Sequence, residues 1–129
     1  MGQRILVVDD EKLIRELLRH KLVGLGFEVV TAGNAEEFSK YALDQKPDLI
    51  ILDIWLKNRM GPDVYQELLG AGFDREVPVI FITALTEGEP KSTEMPPWKK
   101  YALYSKPFDF EKLAPEIHHL LNREKRMAG

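Results

Sequence analysis

Three acids, a hydroxyl and an amine stand at the ends of short apolar runs spread along the chain. Asp9 and Asp10 follow the first run, Asp53 the third, Thr83 ends the fourth, and Lys106 follows the fifth. Three carboxylates brought together repel one another, and a hard divalent cation such as Mg²⁺ relieves that repulsion. A fixed cation and a hydroxyl donor beside the metal would hold the oxygens of a phosphoryl group in transfer. The nucleophile of such a site would be a carboxylate, because carboxylates form aspartyl phosphates.

The apolar runs have the length of strands and alternate with segments of helical period. Residues 49–52 are apolar without a break, which is typical of a parallel strand covered by helices on both faces. Five such βα units predict a five-stranded parallel sheet with right-handed crossovers. Ligands of open parallel sheets bind outside the carboxyl ends of the strands, so the polar positions should meet at one edge.

Helix ends are marked by polar caps and by proline or glycine. Asn34 with Glu37 three residues later resembles a capping box, and Pro47 ends the helix that follows. Gly61-Pro62 begins the next helix, because proline is tolerated in a first turn. Apolar residues recur at helical spacing in the segments Ile14, Leu17, Leu18, Leu22 and Leu25, then Val64, Tyr65, Leu68 and Leu69, and then Phe110, Leu113, Ile117, Leu120 and Leu121. Phe38, Ala42 and Leu43 of the second helix are expected to face inward.

The composition narrows the class of protein. Hydrophobic residues make up 44% of the 129-residue chain and charged residues 30%, which suits one domain with a buried core. The net charge of -3 gives no basic excess for direct nucleic-acid binding, and the absence of cysteine excludes a disulfide framework. The sequence shows no signal peptide and no apolar run long enough to cross a bilayer. We therefore expect a cytoplasmic protein without membrane contact.

These residues, in this order and at these spacings, resemble the receiver domains of two-component response regulators. The resemblance is carried by Asp9-Asp10, Asp53, Thr83-Ala84 and Lys106-Pro107-Phe108, and it covers Arg4 to about Leu121. It implies a flavodoxin-like, doubly wound α/β fold with strand order 2-1-3-4-5. It also implies a receiver domain over residues 1–121 and a polar C-terminal tail, expected to fray, over residues 122–129.

The resemblance assigns a metal site to the acidic residues. Asp53 matches the phosphoacceptor of the family, and Asp10 matches the acid that ligates Mg²⁺ directly. Asp9 matches its neighbour, which acts through water. Trp55 stands where the family offers a backbone carbonyl to the metal.

The resemblance also assigns contacts to the phosphoryl group. Thr83 matches the hydroxyl switch residue, and Ala84 matches the small residue whose amide meets the phosphoryl group. Lys106 matches the lysine of the family site, and Pro107 stands at its cis-proline position.

The implied function is that of a signalling phosphoacceptor, which catalyses only its own phosphorylation and dephosphorylation and is not otherwise an enzyme. A sensor histidine kinase or a histidine phosphotransfer protein would phosphorylate Asp53. The phosphoryl group would then switch the surface offered to a downstream protein target. We expect a monomer or a weak dimer.

Three other functions compete with this interpretation. A haloacid-dehalogenase-like phosphatase needs a second acid two residues after the nucleophile, where Trp55 stands. A flavodoxin-like FMN protein needs a phosphate loop after the first strand, where Asp9, Asp10 and Glu11 would repel a phosphate. The remaining alternative is a degenerate receiver that acts as a phosphorylation-independent interaction module.

The chain departs from the usual receiver in three places. Lys57 stands where receivers have proline, so we expect a less constrained loop after Asp53. Leu103 replaces the switch aromatic, which calls the usual coupling between threonine and aromatic into question. Residues 87–99 contain three prolines, so an irregular or missing fourth helix is predicted there.

Overall fold

The computed structural model describes residues 2–57, 59–83, 101–105 and 109–128, with the backbone alone for residues 83, 101–105 and 123–128. The elements are β1 (Arg4–Val8), α1 (Lys12–Gly24), β2 (Glu28–Ala32), α2 (Ala35–Gln45), β3 (Leu49–Asp53), β4 (Trp55–Leu56), β5 (Arg59–Met60), α3 (Gly61–Gly70), β6 (Val79–Thr83), β7 (Tyr101–Ser105) and α4 (Phe110–Ala128).

Five parallel strands form the main sheet in the order β2-β1-β3-β6-β7. The short strands β4 and β5 lie outside it, so this is the order 2-1-3-4-5 in terms of the five strands predicted from the apolar runs. The predicted flavodoxin-like fold is confirmed. Val8 pairs with both Ala32 and Leu52, which aligns the carboxyl ends of the three neighbouring strands.

Helices cover both faces of the sheet, and β3 is buried along its whole length. Alternate residues of the strands point to opposite faces, because the side-chain period of a strand is two. Leu6, Ile50 and Phe81 pack with α2 and α3 on one face. Ile5 and Ile51 pack with α1 and α4 on the other. The unbroken apolar run of β3 is therefore explained by two hydrophobic cores, one on each face of the sheet.

The predicted cap of the second helix is present with one change. Asn34 Oδ1 accepts a hydrogen bond from the amide of Glu37 at 2.8 Å. Glu37 Oε1 reaches back to the amide of Gly33, also at 2.8 Å, rather than to that of Asn34. The helix ends at Gln45, and Lys46 (φ 48°, ψ 63°) turns the chain in the left-handed region before Pro47.

The prediction that Leu43 faces inward was wrong, because its side chain is exposed, and Leu17 and Leu25 of the apolar set in the first helix are exposed as well. Leu18 is buried beside Leu17, and Ala42 is buried beside Leu43. Adjacent residues of a helix lie about 100° apart, so only one member of each apolar pair can point at the sheet. Leu25 follows the end of α1 and is its C-cap residue.

The loop after Asp53 contains a short antiparallel hairpin. Trp55 pairs with Met60 and Leu56 with Arg59 in antiparallel register. Lys57 has a φ of 50°, which suits the two-residue turn of such a hairpin. The Leu56 side chain is buried in the core with α3, so the hairpin is anchored to the body of the domain.

The third helix packs as predicted, with Val64, Tyr65 and Leu68 buried against the sheet. The Tyr65 ring meets Phe73 edge-on with centroids 6.1 Å apart. Burial raises the pKa of the Tyr65 phenol to about 12, and the negative charge of Asp74 adds to the shift.

The last helix continues to Ala128, so the backbone over residues 122–128 is helical where a fraying tail was expected. Neither glycine nor proline stands between Leu121 and Ala128, so no residue of the segment interrupts the helix. Among the residues described, no helix combines the length and apolarity needed to cross a bilayer. The segment 87–99 and the Leu103 side chain lie outside the described residues.

Candidate functional site

The acids are brought to one edge of the sheet by the pairing of its central strands. Val8 pairs with Leu52 on β3, so the next residues on the two strands, Asp9 and Asp53, are neighbours. Two backbone hydrogen bonds hold this edge. The Asp9 amide donates to the Ala32 carbonyl at 3.1 Å, and the Ile54 amide donates to the Ile82 carbonyl at 2.9 Å. The carboxyl ends of β1, β2, β3 and β6 are thereby tied together.

Asp9, Asp10 and Asp53 form an acid cluster in which one carboxylate oxygen from each lies within 4.8 Å of the others. Asp9 is 1% exposed and Asp53 4% exposed, while Asp10 is half-buried. Unit charges about 4 Å apart repel by roughly 4 kcal/mol near a protein surface. The donor set is all oxygen, which is the preference of Mg²⁺, so the residues present fit the predicted metal. Their roles as ligands and phosphoacceptor remain predictions.

Local backbone amides orient two of the three carboxylates. Asp9 Oδ1 accepts from the Glu11 amide at 2.9 Å, and Asp53 Oδ1 accepts from the Trp55 amide at 3.1 Å. Both are turns in which a side chain bonds the backbone two residues on. The N-cap position of α1 is held by Glu11, whose side chain makes no capping hydrogen bond. Helix capping alone therefore does not explain why Asp9 and Asp10 stand at the end of β1.

Gly61 allows the start of α3 to press directly on the end of β3. Its amide donates to the Ile54 carbonyl at 2.7 Å. A Cβ at this position would lie 2.2 Å from the Asp53 carbonyl oxygen and 3.0 Å from Leu52 Cγ. Sequence reasoning treated Gly61 only as part of a helix start. Its contact with the backbone of Asp53 is visible only once the fold brings α3 across β3.

Trp55 lies beside Asp53 with its side chain 47% exposed. Its backbone is fixed by pairing with Met60 and by the hydrogen bond from its amide to Asp53. The predicted role of the Trp55 carbonyl as a metal ligand stays a prediction.

The other predicted contacts of the phosphoryl group fall at the edge of the described residues. The backbone of Thr83 ends β6, one residue past Ile82, which pairs with Asp53, and Thr83 itself pairs with Ser105. The Thr83 side chain, Ala84, Lys106 and Pro107 lie outside the described residues, so their roles stay predictions.

The sequence matches the family model described as "Response regulator receiver domain" over residues 5–118. The chain belongs to this family. The matched range runs from β1 into α4 and contains every acid of the cluster.

Curated relatives of this receiver are named as transcriptional regulators. The probable transcriptional regulator ycf27 of Guillardia theta is 33% identical over 126 residues, which is 98% of this chain and 48% of that protein. The alkaline phosphatase synthesis transcriptional regulatory protein PhoP of Bacillus subtilis is 40% identical over 87 residues, covering 67% of this chain and 35% of that protein. The alignments with the first curated relatives span 34% to 49% of their length.

Solved receiver structures share the fold. The response regulator receiver domain protein (CheY-like) of Methanospirillum hungatei JF-1 matches with a TM-score of 0.84 at 22% identity, covering 98% of this chain and 99% of that one. NtrX from Brucella abortus, solved in complex with ADP, matches with a TM-score of 0.81 at 30% identity, covering 99% of this receiver and 28% of that chain.

Proposed function

We propose that Asp53 of this receiver accepts a phosphoryl group from a phosphohistidine partner, with Mg²⁺ held by the acid cluster. The observation that carries the proposal is the convergence of the three carboxylates at the carboxyl edge of the sheet. Bound Mg²⁺ would neutralise charge on the cluster and on the transferring phosphoryl oxygens. Asp10 and Asp53 would ligate it with the Trp55 carbonyl, and Asp9 would act through water.

Asp53 is prepared for nucleophilic attack by its surroundings. The Trp55 amide holds one carboxylate oxygen and thereby fixes the direction of the other. In the transfer, that oxygen forms a bond to phosphorus while the N–P bond of the phosphohistidine breaks and the imidazole leaves. Most of the catalysis in such a step comes from positioning and charge stabilisation, which suits a rigid site at strand ends.

The residues that follow β6 and β7 would hold the transferred group. Lys106 would pair with a phosphoryl oxygen, while the Thr83 hydroxyl and the Ala84 amide would donate hydrogen bonds to the others. A shift of Thr83 toward the phosphoryl group would then alter the surface that the receiver presents to a downstream protein.

The cellular role that follows is that of a cytoplasmic receiver in a two-component system. Receivers of this family partner with histidine kinases, and we assign a sensor histidine kinase or a histidine phosphotransfer protein as the donor. The relatives named as transcriptional regulators are longer than this chain. With its net charge of -3, we assign no direct nucleic-acid contact to the receiver.

Intact-mass spectrometry after treatment with acetyl phosphate and Mg²⁺ tests the proposal. The wild type should gain one phosphate, and the gain should disappear in Asp53→Asn and when EDTA removes the metal. Asp44→Asn is the matched control, because Asp44 is an exposed acid on α2 away from the cluster. A wild type that takes up no phosphate would favour a receiver that acts by binding alone.

A further inference from the structure

Arg15 reaches from α1 back to the end of β1 and bonds the backbone of the acid cluster. The side chain is half-buried, and Nη1 donates to the carbonyl oxygen of Asp9 at 2.7 Å. Pairing between β1 and β2 ends at Val8 and Ala32, so this carbonyl lies beyond the strand ladder. Buried backbone carbonyls need a donor, and the Arg15 guanidinium supplies it.

The guanidinium occupies space that Gly33 leaves open. A Cβ at Gly33 would lie 2.8 Å from Arg15 Nη1 and 3.1 Å from its Cζ. Gly33 is itself held in place, because its amide donates to Glu37 Oε1 at 2.8 Å. Arg15 therefore lies between two fixed stretches of backbone, one at the end of β1 and one at the start of α2.

We propose that Arg15 is a positioning residue which holds the Asp9–Asp10 backbone in the geometry that Mg²⁺ requires. The inference rests on the proposed metal site and adds a determinant of its affinity. Only Asp9, Asp10 and Glu11 connect β1 to α1, so a rotation of the Asp9 peptide would move both carboxylates. Mg²⁺ accepts little departure from octahedral geometry, so the position of these ligands sets how tightly it binds.

The direction of the change in Mg²⁺ affinity distinguishes a positioning role of Arg15 from an effect of its positive charge. Arg15 is a cation near a cation site, so removing its charge would strengthen metal binding if electrostatics alone acted. Loss of the hydrogen bond to Asp9 would instead weaken it. Comparing the loss of affinity for Mg²⁺ with that for Ca²⁺ gives a second test of positioning, because Ca²⁺ tolerates irregular ligand geometry and Mg²⁺ does not.

Two substitutions break the same contact from opposite sides. Arg15→Gln shortens the side chain and removes the fork that reaches Asp9. Gly33→Ala keeps Arg15 but displaces its tip, which is the end of a flexible side chain and moves at little cost to folding. Arg19→Gln removes the same charge from an exposed position on α1, and Gly24→Ala adds a methyl group where no atom lies within 4 Å.

Titration of backbone amide chemical shifts with MgCl₂ and with CaCl₂ measures both affinities and reports the fold of each variant. We expect Arg15→Gln and Gly33→Ala to bind Mg²⁺ about tenfold more weakly and to lose less affinity for Ca²⁺. Both should stay folded without metal, and Arg15→Gln should melt at a lower temperature because the Asp9 carbonyl loses a donor. The two controls should match the wild type for both ions.

Equal or tighter Mg²⁺ binding by Arg15→Gln would overturn the positioning role, and so would equal losses for the two ions. In either case, phosphorylation of the wild type at Asp53 would leave the proposed function intact. A wild type that binds no Mg²⁺ would overturn both proposals.

Discussion

At the scale of single residues, the acid cluster is held against its own repulsion. The amides of Glu11 and Trp55 fix the carboxylates of Asp9 and Asp53, which are almost fully buried. Neither side chain can swing into solvent without losing a hydrogen bond to a charged acceptor, worth about 1.5–3 kcal/mol. The domain therefore keeps three carboxyl groups together, and we expect their repulsion to lower its stability when metal is absent.

Replacing one acid should stabilise the metal-free receiver. Asp53→Asn removes one of three close charges and keeps an acceptor for the Trp55 amide, so the free energy of unfolding without metal should rise by about 1 kcal/mol. Urea denaturation in EDTA measures the change, with Asp44→Asn as the control. Equal or lower stability of Asp53→Asn would mean that the cluster is not electrostatically strained.

Mg²⁺ should stabilise the wild type more than it stabilises a variant that lacks one of the acids of the cluster. The proposed site exists only in the folded state, so Mg²⁺ at about 100 times its dissociation constant should stabilise the wild type by roughly 2.7 kcal/mol. Asp10→Asn removes a predicted direct ligand and should lose most of this gain. Thermal melting with and without MgCl₂ measures it, and full stabilisation of Asp10→Asn would exclude Asp10 as a ligand.

At the scale of elements, the site depends on α3 and the β4–β5 hairpin, which meet the end of β3. Gly61→Ala would drive a methyl group into the Asp53 carbonyl, a backbone atom that cannot turn aside. We expect a loss of about 1–3 kcal/mol in the free energy of unfolding and slower phosphorylation of Asp53.

Gly70→Ala provides the control for this substitution, because nothing lies within 4 Å of that position and the residue is also in α3. It should leave phosphorylation unchanged and hold or raise the stability by up to about 1 kcal/mol. Identical phosphorylation rates for the two alanine variants would contradict the close contact between α3 and Asp53.

The burial of Leu56 should stabilise the β4–β5 hairpin more than the ion pair between Arg59 and Glu67 does. Leu56 is buried in the core, whereas the Arg59–Glu67 pair is exposed. Leu56→Ala should lower the free energy of unfolding by about 2–4 kcal/mol, and Arg59→Ala by less than about 1 kcal/mol. Urea denaturation of both variants tests this, and comparable losses would assign the anchoring to the ion pair.

At the scale of the whole molecule, the five-stranded parallel sheet and the meeting of the acids followed from the sequence, because apolar runs and their terminal polar residues are local patterns. The strand order came from the resemblance to receivers. The hairpin did not follow from the sequence, since it depends on a left-handed Lys57 and on the burial of Leu56. The contacts of Arg15 with the Asp9 carbonyl and of Gly61 with the backbone of Asp53 and Ile54 were also missed, because each joins two successive elements and depends on how they pack. Periodicity likewise overstated the buried face of α1 and α2, where one of two adjacent leucine or alanine positions points outward.

Residues 87–99 are predicted not to form a regular helix. Three prolines in the segment leave room for little more than one helical turn, because an interior proline costs about 3 kcal/mol. We expect Cα chemical shifts without three consecutive helical turns, and no symmetric dimer through the face that receivers commonly make from the fourth helix, the fifth strand and the fifth helix. Three regular turns would refute the local prediction, and such a dimer in solution would refute its consequence.

Site mapping of the phosphorylated protein identifies the carboxylate that carries the phosphoryl group. The receiver is treated with phosphoramidate, whose P–N bond resembles that of phosphohistidine, in MgCl₂, and the aspartyl phosphate is trapped by borohydride reduction before peptide mass spectrometry. A single reduced residue, at Asp53, is expected in the wild type and in Asp44→Asn, and none in the absence of Mg²⁺. Modification at another carboxylate, or a modified peptide that persists in Asp53→Asn, would contradict it.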